Sequence, residues 1–297
     1  LPPYVGLPAA ESVYLYPGYQ GAAYLGETYS PFQVNNAQRY LSATSTGAIQ
    51  SPEFLASIKE FDQQRSTSRL DLLGQLDRAR RDIDQLGVMD SLDRYQQQAV
   101  DMISAGRARE ALDIEKEDPG LRDKYGRGPW GHYTLLARRL VEAGVSFVTV
   151  DMPHWDDHSR IKDGHGPKLA VVDQAVAALL EDLSDRGMSD DVLLVVMGEF
   201  GRTPRLNEGQ PGIPIPGRDH WGNAISAMVA GGGLRGGQVV GQTNDKAEYP
   251  VERPLKPGDL LATIYRVLGI NSSQSFLDHS GRPVPMISEG EAIAELF

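Results

Sequence analysis

From about residue 130 onward, apolar and polar stretches alternate in a way that predicts helices and strands in turn. Residues 132–143 (HYTLLARRLVEA) carry apolar side chains at helical spacing and stop at Gly144. Residues 145–150 (VSFVTV) form a short, nearly continuous apolar run, as in a buried parallel strand. A polar loop and a helix from about 167 to 186, closed by Gly187, come next. A second buried strand is predicted at 192–197 (VLLVVM). The loop 198–222, rich in Gly, Pro and charge, leads to a third strand at 224–230 and a shorter one at 238–241. A helix over 259–268 (DLLATIYRVL) ends at Gly269. Strands alternating with helices predict an α/β fold with a mainly parallel sheet.

The pattern upstream is different. Ser51-Pro52-Glu53 has the form of a helix start. Leu70, Leu73, Leu76, Ala79, Ile83 and Leu86 then recur at three- and four-residue spacing, and Tyr95, Ala99, Met102 and Ile103 continue the rhythm. Residues 51–117 are therefore expected to be a block of two to four helices inserted into the domain, with a solvated charged face. Residues 1–50 show little periodicity and are expected to be loop-rich. Their tyrosines (Tyr4, Tyr14, Tyr16, Tyr19, Tyr24, Tyr29) argue for packing. The chain opens on Leu1-Pro2-Pro3, with neither a basic nor an apolar leader, so a preceding segment is expected to be missing.

Composition narrows the partners. The 297 residues, 40% of them hydrophobic, can bury one sizeable core or two modest ones. A net charge of −11 argues against a nucleic-acid or anionic-membrane partner. No apolar run is long enough for a transmembrane helix. The absence of cysteine excludes disulfides, thiolate metal sites and cysteine nucleophiles.

Three polar clusters fall just past predicted strands or at the end of the long loop, where open α/β sheets bind ligands. They are His154-Trp155-Asp156-Asp157-His158, Gly198-Glu199-Phe200-Gly201-Arg202-Thr203-Pro204, and Gly217-Arg218-Asp219-His220-Trp221. Without Cys, the natural ligands for a hard-to-borderline divalent ion are Asp, Glu and His. Asp156 and His158, two residues apart, can both face one ion from a loop. Glu199 would enter from the neighbouring strand and His220 from the returning loop. The planar fork of Arg202 suits a phosphate or sulfate group. The plainer account of each cluster is loop polar residues satisfying backbone groups, a helix cap, or an Arg–Asp ion pair.

Other motifs carry less. The glycine run 231–237 lacks the Gly-Lys-Ser/Thr ending of a phosphate loop and is expected to be a tight turn. No Gly-x-Ser-x-Gly and no early Gly-x-Gly-x-x-Gly occurs, which disfavours a serine hydrolase elbow and a dinucleotide site. His132 is expected to pack on its helix, and His165 and His279 to lie at the surface. His165 is close enough in sequence to the first cluster to support its ligands.

The stretches WDDH (155–158), VVMGEFGRTPRLN (195–207), GRDHWGNAIS (217–226), VAGGGLRGGQVVGQT (229–243), RPLKPGDLLATIYRVLGI (253–270) and GRPVP (281–285) closely resemble the domain-of-unknown-function 1501 family. So do the opening LPPYVGLP, GYQGAAYLGETYSPF (18–32) and RDKYGRGPWGHYTLLARRLVEAGVSFVTV (122–150). That family is similar to the alkaline phosphatase and sulfatase superfamily. The resemblance implies a single three-layer αβα sandwich over 1–297, lacking its N-terminal strand segment and carrying the insertion 51–117. It further implies a divalent metal (Zn, Mn, Mg or Ca) held by Asp156, His158, Glu199 and His220. Asp219, which would orient His220, and His154 and Asp157 would support these ligands. Glu199-Phe200 stands where superfamily hydrolases carry an Asp-His pair, so one nitrogen ligand is lost. By the same resemblance, the region that leads to the nucleophile is expected to lie upstream of this chain.

The function implied is metal-dependent hydrolysis of phosphate or sulfate esters, on a small-molecule or polysaccharide substrate, by an exported protein. Arg202 would offset charge on the transferred group. The alternatives are a non-catalytic binding or scaffold protein that keeps the fold, and a structural domain without metal.

Overall fold

The computed structural model describes residues 1–8, 21–22, 29–34, 41–43, 45, 110–278 and 280–297. Most of the expected helical block (51–109) lies outside the described residues, as do Tyr14, Tyr16, Tyr19, Tyr24 and His279. The described chain divides into two compact units, one of residues 1–153 and 171–179, the other of 154–170 and 180–297.

The first unit is built on a parallel three-stranded sheet. β1 (Tyr4–Leu7) lies between β2 (Phe32–Gln33) and β3 (Phe147–Val150). Val5 stands opposite both Phe32 and Val148. β3 matches the predicted strand and its parallel pairing, although Phe147 is exposed and the other three residues are half-buried. β1 was expected to be loop. Its four residues sit between prolines and are too few to show periodicity, yet Val5 and Leu7 are fully buried.

Two α-helices lie immediately ahead of β3. α1 (Pro119–Tyr125) starts with the Asp118 carboxylate accepting from the Gly120 and Leu121 amides. α2 (Pro129–Glu142) begins at a proline three residues ahead of the expected start, where a missing amide hydrogen costs nothing. Tyr133, Leu136 and Leu140 recur along one face of α2. They pack with Val5, Leu7, Val34, Ala111, Leu112 and Val145 into one apolar cluster. Burial on this scale contributes roughly 1.5–3 kcal/mol for each large side chain fully removed from water.

Arg138, on α2, is fully buried. Its guanidinium lies 2.8 Å from Glu117 and 2.6 Å from Glu142, and Glu117 also pairs with Arg139. Burial pushes the Glu117 carboxyl up, but the hydrogen bonds and charges of Arg138 and Arg139 outweigh it and hold the group below its ordinary value. His132 is lowered to about 4, by burial first and then by the Arg122 charge.

α3 (Ile161–Asp185) has residues 171–179 in the first unit and both its ends in the second. It begins six residues ahead of the position that Pro167 marks, so the proline lies inside it. Gly164 and Gly166 disfavour helix in this stretch, and side-chain contacts of its first turns override that preference. In the second unit β4 (Leu193–Val196) matches the predicted strand but is half-buried. It pairs antiparallel, through Val196 and Met228, with a strand at Met228–Gly231. The third predicted strand (224–230) thus starts four residues later than expected and ends one residue later. The expected parallel pairing fails here because the long connection holds no crossover helix. Among the described residues, parallel pairing is confined to the first unit, and every ladder of the second is antiparallel. No strand forms at 238–241; Gln238 instead donates its amide to the Arg235 and Glu295 carbonyls. The glycine run is a turn, closed by Leu234 N–H on the Gly231 carbonyl. The last long helix, α4 (Pro257–Val267), is anchored by Asp259, which accepts from the Lys256 and Glu291 amides.

The buried arginine and the depressed histidine each generate a test. Glu117→Ala takes a carboxylate away from the buried Arg138 guanidinium, and about 3 kcal/mol of stability should be lost, read as a lower denaturant midpoint. His132 is neutral in the folded chain below the pH at which it protonates when unfolded. Its contribution is therefore complete above about pH 6.5 and declines as pH falls toward 4. His132→Gln should flatten the stability profile in that window; a slope as steep as the parent's would remove the assignment.

Candidate metal centre

The site is built from three segments of the second unit. The loop 154–158 supplies Asp156 and His158. A short antiparallel ladder, β5 (Gly201–Arg202) with β6 (His220–Trp221), sets Arg202 directly opposite His220. The ladder is extended by Thr203 N–H bonding to the Asp219 carbonyl at 2.9 Å. The chain returning to β6 passes close to the loop: Arg160 N–H bonds to Ile215 O and Ile161 N–H to Pro216 O. A Cβ at position 217 would lie 2.2 Å from the His158 carbonyl oxygen, so only glycine fits there.

Asn207 fastens these segments together. Its amide nitrogen donates to the His158 carbonyl at 2.9 Å and to Asp219 Oδ1 at 3.1 Å. Its oxygen accepts from the Gly209 and Gly217 amides at 2.9 and 2.8 Å. All the side chain's hydrogen-bonding directions are thereby used.

At the centre is one oxygen, Oδ1 of Asp156. His220 Nε2 lies 2.7 Å from it, His158 Nε2 2.9 Å, and an Arg202 terminal nitrogen 3.0 Å. One ligand atom from each of Asp156, His158 and His220 lies within 4.8 Å of the others. The His158 and His220 rings are 4.8 Å apart, and Phe200 lies against His220 at 4.3 Å. His158 Nδ1 is 2.8 Å from Asp219 Oδ1. That contact orients the imidazole and directs its other nitrogen toward Asp156. Asp156 and His220 are both exposed and His158 is half-buried, so a ligand can reach the group from solvent.

The electrostatics follow from the partners. Burial raises the Asp156 carboxyl, but hydrogen bonds from His220 and Arg202 and the charges of His158 and Arg202 hold it at about 2. Hydrogen bonds from His158 and Asn207 keep Asp219 below the usual carboxylate range. Both are anionic at neutral pH, as cation ligands must be.

Asp156, His158 and His220 are thus brought together from two of the clusters singled out in the sequence. Glu199 is exposed and lies outside the group. Asp219 supports His158, not His220. Asp157 turns the other way, to Lys168 at 2.6 Å and His165 at 3.0 Å. The His154 carbonyl accepts from the same Lys168. Arg202 is beside the triad, but its terminal nitrogens are bonded to the carbonyls of Arg218 and Trp155 and to Asp156. Sequence reasoning passed over Asn207, because a single amide in a loop has no distinguishing pattern. It also passed over Lys168, whose role depends on where α3 begins.

The donor set fits a divalent ion. Two imidazole nitrogens and a carboxylate oxygen face a common point, and the second nitrogen of one imidazole is held by a carboxylate. With three protein ligands and an exposed side, such an ion would retain open coordination positions. No curated protein and no solved structure matches the chain. One family does, described as a protein of unknown function (DUF1501), and the match runs over residues 1–297. The triad and the loops that assemble it therefore sit in a chain that belongs, over its whole length, to the DUF1501 family.

Proposed function

We propose that this protein is a metal-dependent hydrolase of phosphate or sulfate esters. The observation that carries the reading is the convergence of Asp156 Oδ1, His158 Nε2 and His220 Nε2 on one point. The motifs WDDH, MGEFGRTP and GRDHW, and their resemblance to the alkaline phosphatase and sulfatase superfamily, support the reaction class. They also support a three-layer αβα sandwich and an exported protein. Small-molecule and polysaccharide esters both suit an exposed site.

Two nitrogens and one oxygen favour a borderline ion such as Zn²⁺ over Mn²⁺, Mg²⁺ or Ca²⁺, which prefer oxygen-rich shells. An ion bound there supplies a Lewis acid for an ester oxygen. His158 presents Nε2 because Asp219 holds Nδ1. Arg202 fixes Asp156 and adds positive charge beside it. Its terminal nitrogens are engaged by the protein, so it offsets charge on the transferred group by proximity and not by a two-point grip.

A second reading, ligand binding without turnover on the same fold, has its own support. Glu199-Phe200 stands where hydrolases of the resembled superfamily carry an Asp-His pair, which takes one nitrogen ligand from the set.

Four measurements test these statements. Metal-stripped protein should take up one Zn²⁺, and free Zn²⁺ at 100 times Kd should add about 2.7 kcal/mol of stability. His220→Ala should abolish uptake, and Glu199→Ala should leave it intact; the reverse pattern would move the site. Asp219→Asn keeps all three ligands and should weaken binding about 10–100-fold. Aryl phosphate and aryl sulfate hydrolysis by the metal-loaded protein separates the two readings: uptake without turnover of either ester favours the second.

A further inference from the structure

The loop that carries Asp156 and His158 has two sides. Asp156 and His158 face the triad. Trp155 and Asp157 face the first turns of α3. Asp157 Oδ2 lies 2.6 Å from Lys168 Nζ and 3.0 Å from His165 Nδ1. The same ammonium donates to the His154 carbonyl. One cation therefore grips the loop on both sides of Asp156, by backbone at 154 and by side chain at 157.

The rest of the packing is consistent with a designed grip. The Lys168 side chain is only 12% exposed and Asp157 23%, so their attraction is poorly screened. The ammonium also sits 5.6 Å from the Trp155 ring centre, and the His165 ring meets Trp155 edge-on at 5.1 Å. A Cβ at position 164 would lie 2.3 Å from Asp157 Cγ, so Gly164 is what lets the carboxylate rest against the helix. His154 has φ of 73°, a left-handed conformation that a non-glycine residue holds only when its surroundings enforce it. Lys168 bonds to the carbonyl of that same residue.

Metal affinity depends on ligands held within about 0.5 Å of their working positions. We propose that Lys168 and Asp157 are positioning residues for the cation: their ion pair, seated on Gly164, fixes the 154–158 loop so that Asp156 and His158 are presented together. The inference rests on the reading of Asp156, His158 and His220 as a metal site. Neither residue touches the ion. Their effect passes through the backbone on either side of Asp156.

The test is calorimetric titration of metal-stripped full chain with Zn²⁺, for the parent protein, Lys168→Met, Lys168→Arg and Asp157→Asn. Lys168→Met and Asp157→Asn should each weaken Zn²⁺ binding by about 10–100-fold at unchanged stoichiometry, and Lys168→Arg should recover most of the loss. With Co²⁺ in place of Zn²⁺, the visible absorption bands of Lys168→Met should shift, because ligand placement has changed. A general loss of structure would instead lower the metal-free unfolding midpoint and would not be rescued selectively by arginine. If Lys168→Met fails to fold, Asp157→Asn, which keeps the side chain's shape, decides the matter. Parent protein that binds no Zn²⁺ overturns the metal reading itself. Parent protein that binds, with Lys168→Met and Asp157→Asn within about threefold of it, overturns the strap alone.

Discussion

Oδ1 of Asp156 is the atom on which the second unit's functional geometry depends. Three nitrogen donors from three separate stretches of chain reach it within 3.0 Å. No single residue type explains that crowding. A carboxylate beside one arginine is an ordinary ion pair, worth little where solvent reaches it. Two imidazoles added to the same oxygen form an arrangement that a cation can replace, since each Nε2 that faces the oxygen can equally face an ion beside it. Burial alone would push this carboxyl up, and its residence at about 2 shows how far the surrounding nitrogens prevail.

The assembly of these donors is local and depends on small devices. Pairing of Arg202 with His220 in a two-residue ladder is a weak interaction by itself. It is reinforced by Asn207, which binds the loop, the returning chain and Asp219 at once. Arg218 adds bonds to the Thr203 and Pro204 carbonyls. The site is thus a knot of loops held by side-chain hydrogen bonds. Such a network gains when every member is satisfied and loses heavily when one is removed. The immediate neighbours in Trp155-Asp156-Asp157-His158 are divided: Asp156 serves the triad, and Asp157 binds the helix.

Legibility in the sequence varied with how far a feature depends on local pattern. The helices of 129–142 and 257–267 and the strands at 147–150 and 193–196 were visible because apolar periodicity is a local property. The central strand Tyr4–Leu7 was not, since four residues between prolines have no period to detect. The start of α3 was misplaced because Pro167 favours a first-turn position, while Asp157 pairs with His165, which lies ahead of the proline, and with Lys168, which follows it. Strand direction was misjudged in the second unit for want of any signal distinguishing a helical crossover from a long loop. Three of the four proposed ligands met, since WDDH and GRDHW are dense in donors. Glu199 did not, because a residue at a strand's end can point either way and the period of two leaves no margin.

The same reasoning bears on what Arg202 does. From its sequence position it has the form of an anion receptor. In the structure its terminal nitrogens are committed to two backbone carbonyls and to Asp156. Its charge cannot be withdrawn to grip a substrate without freeing the carboxylate that the imidazoles share. Arginine at this place therefore works as part of the scaffold: it sets the position of Asp156, offsets the negative charge the ligands accumulate, and leaves the solvent side of the triad open. Under the proposed function, charge held in this fixed way would require no reorganisation when an anionic ester approaches. A lysine would supply the charge but not the planar fork that reaches both carbonyls and the carboxylate together.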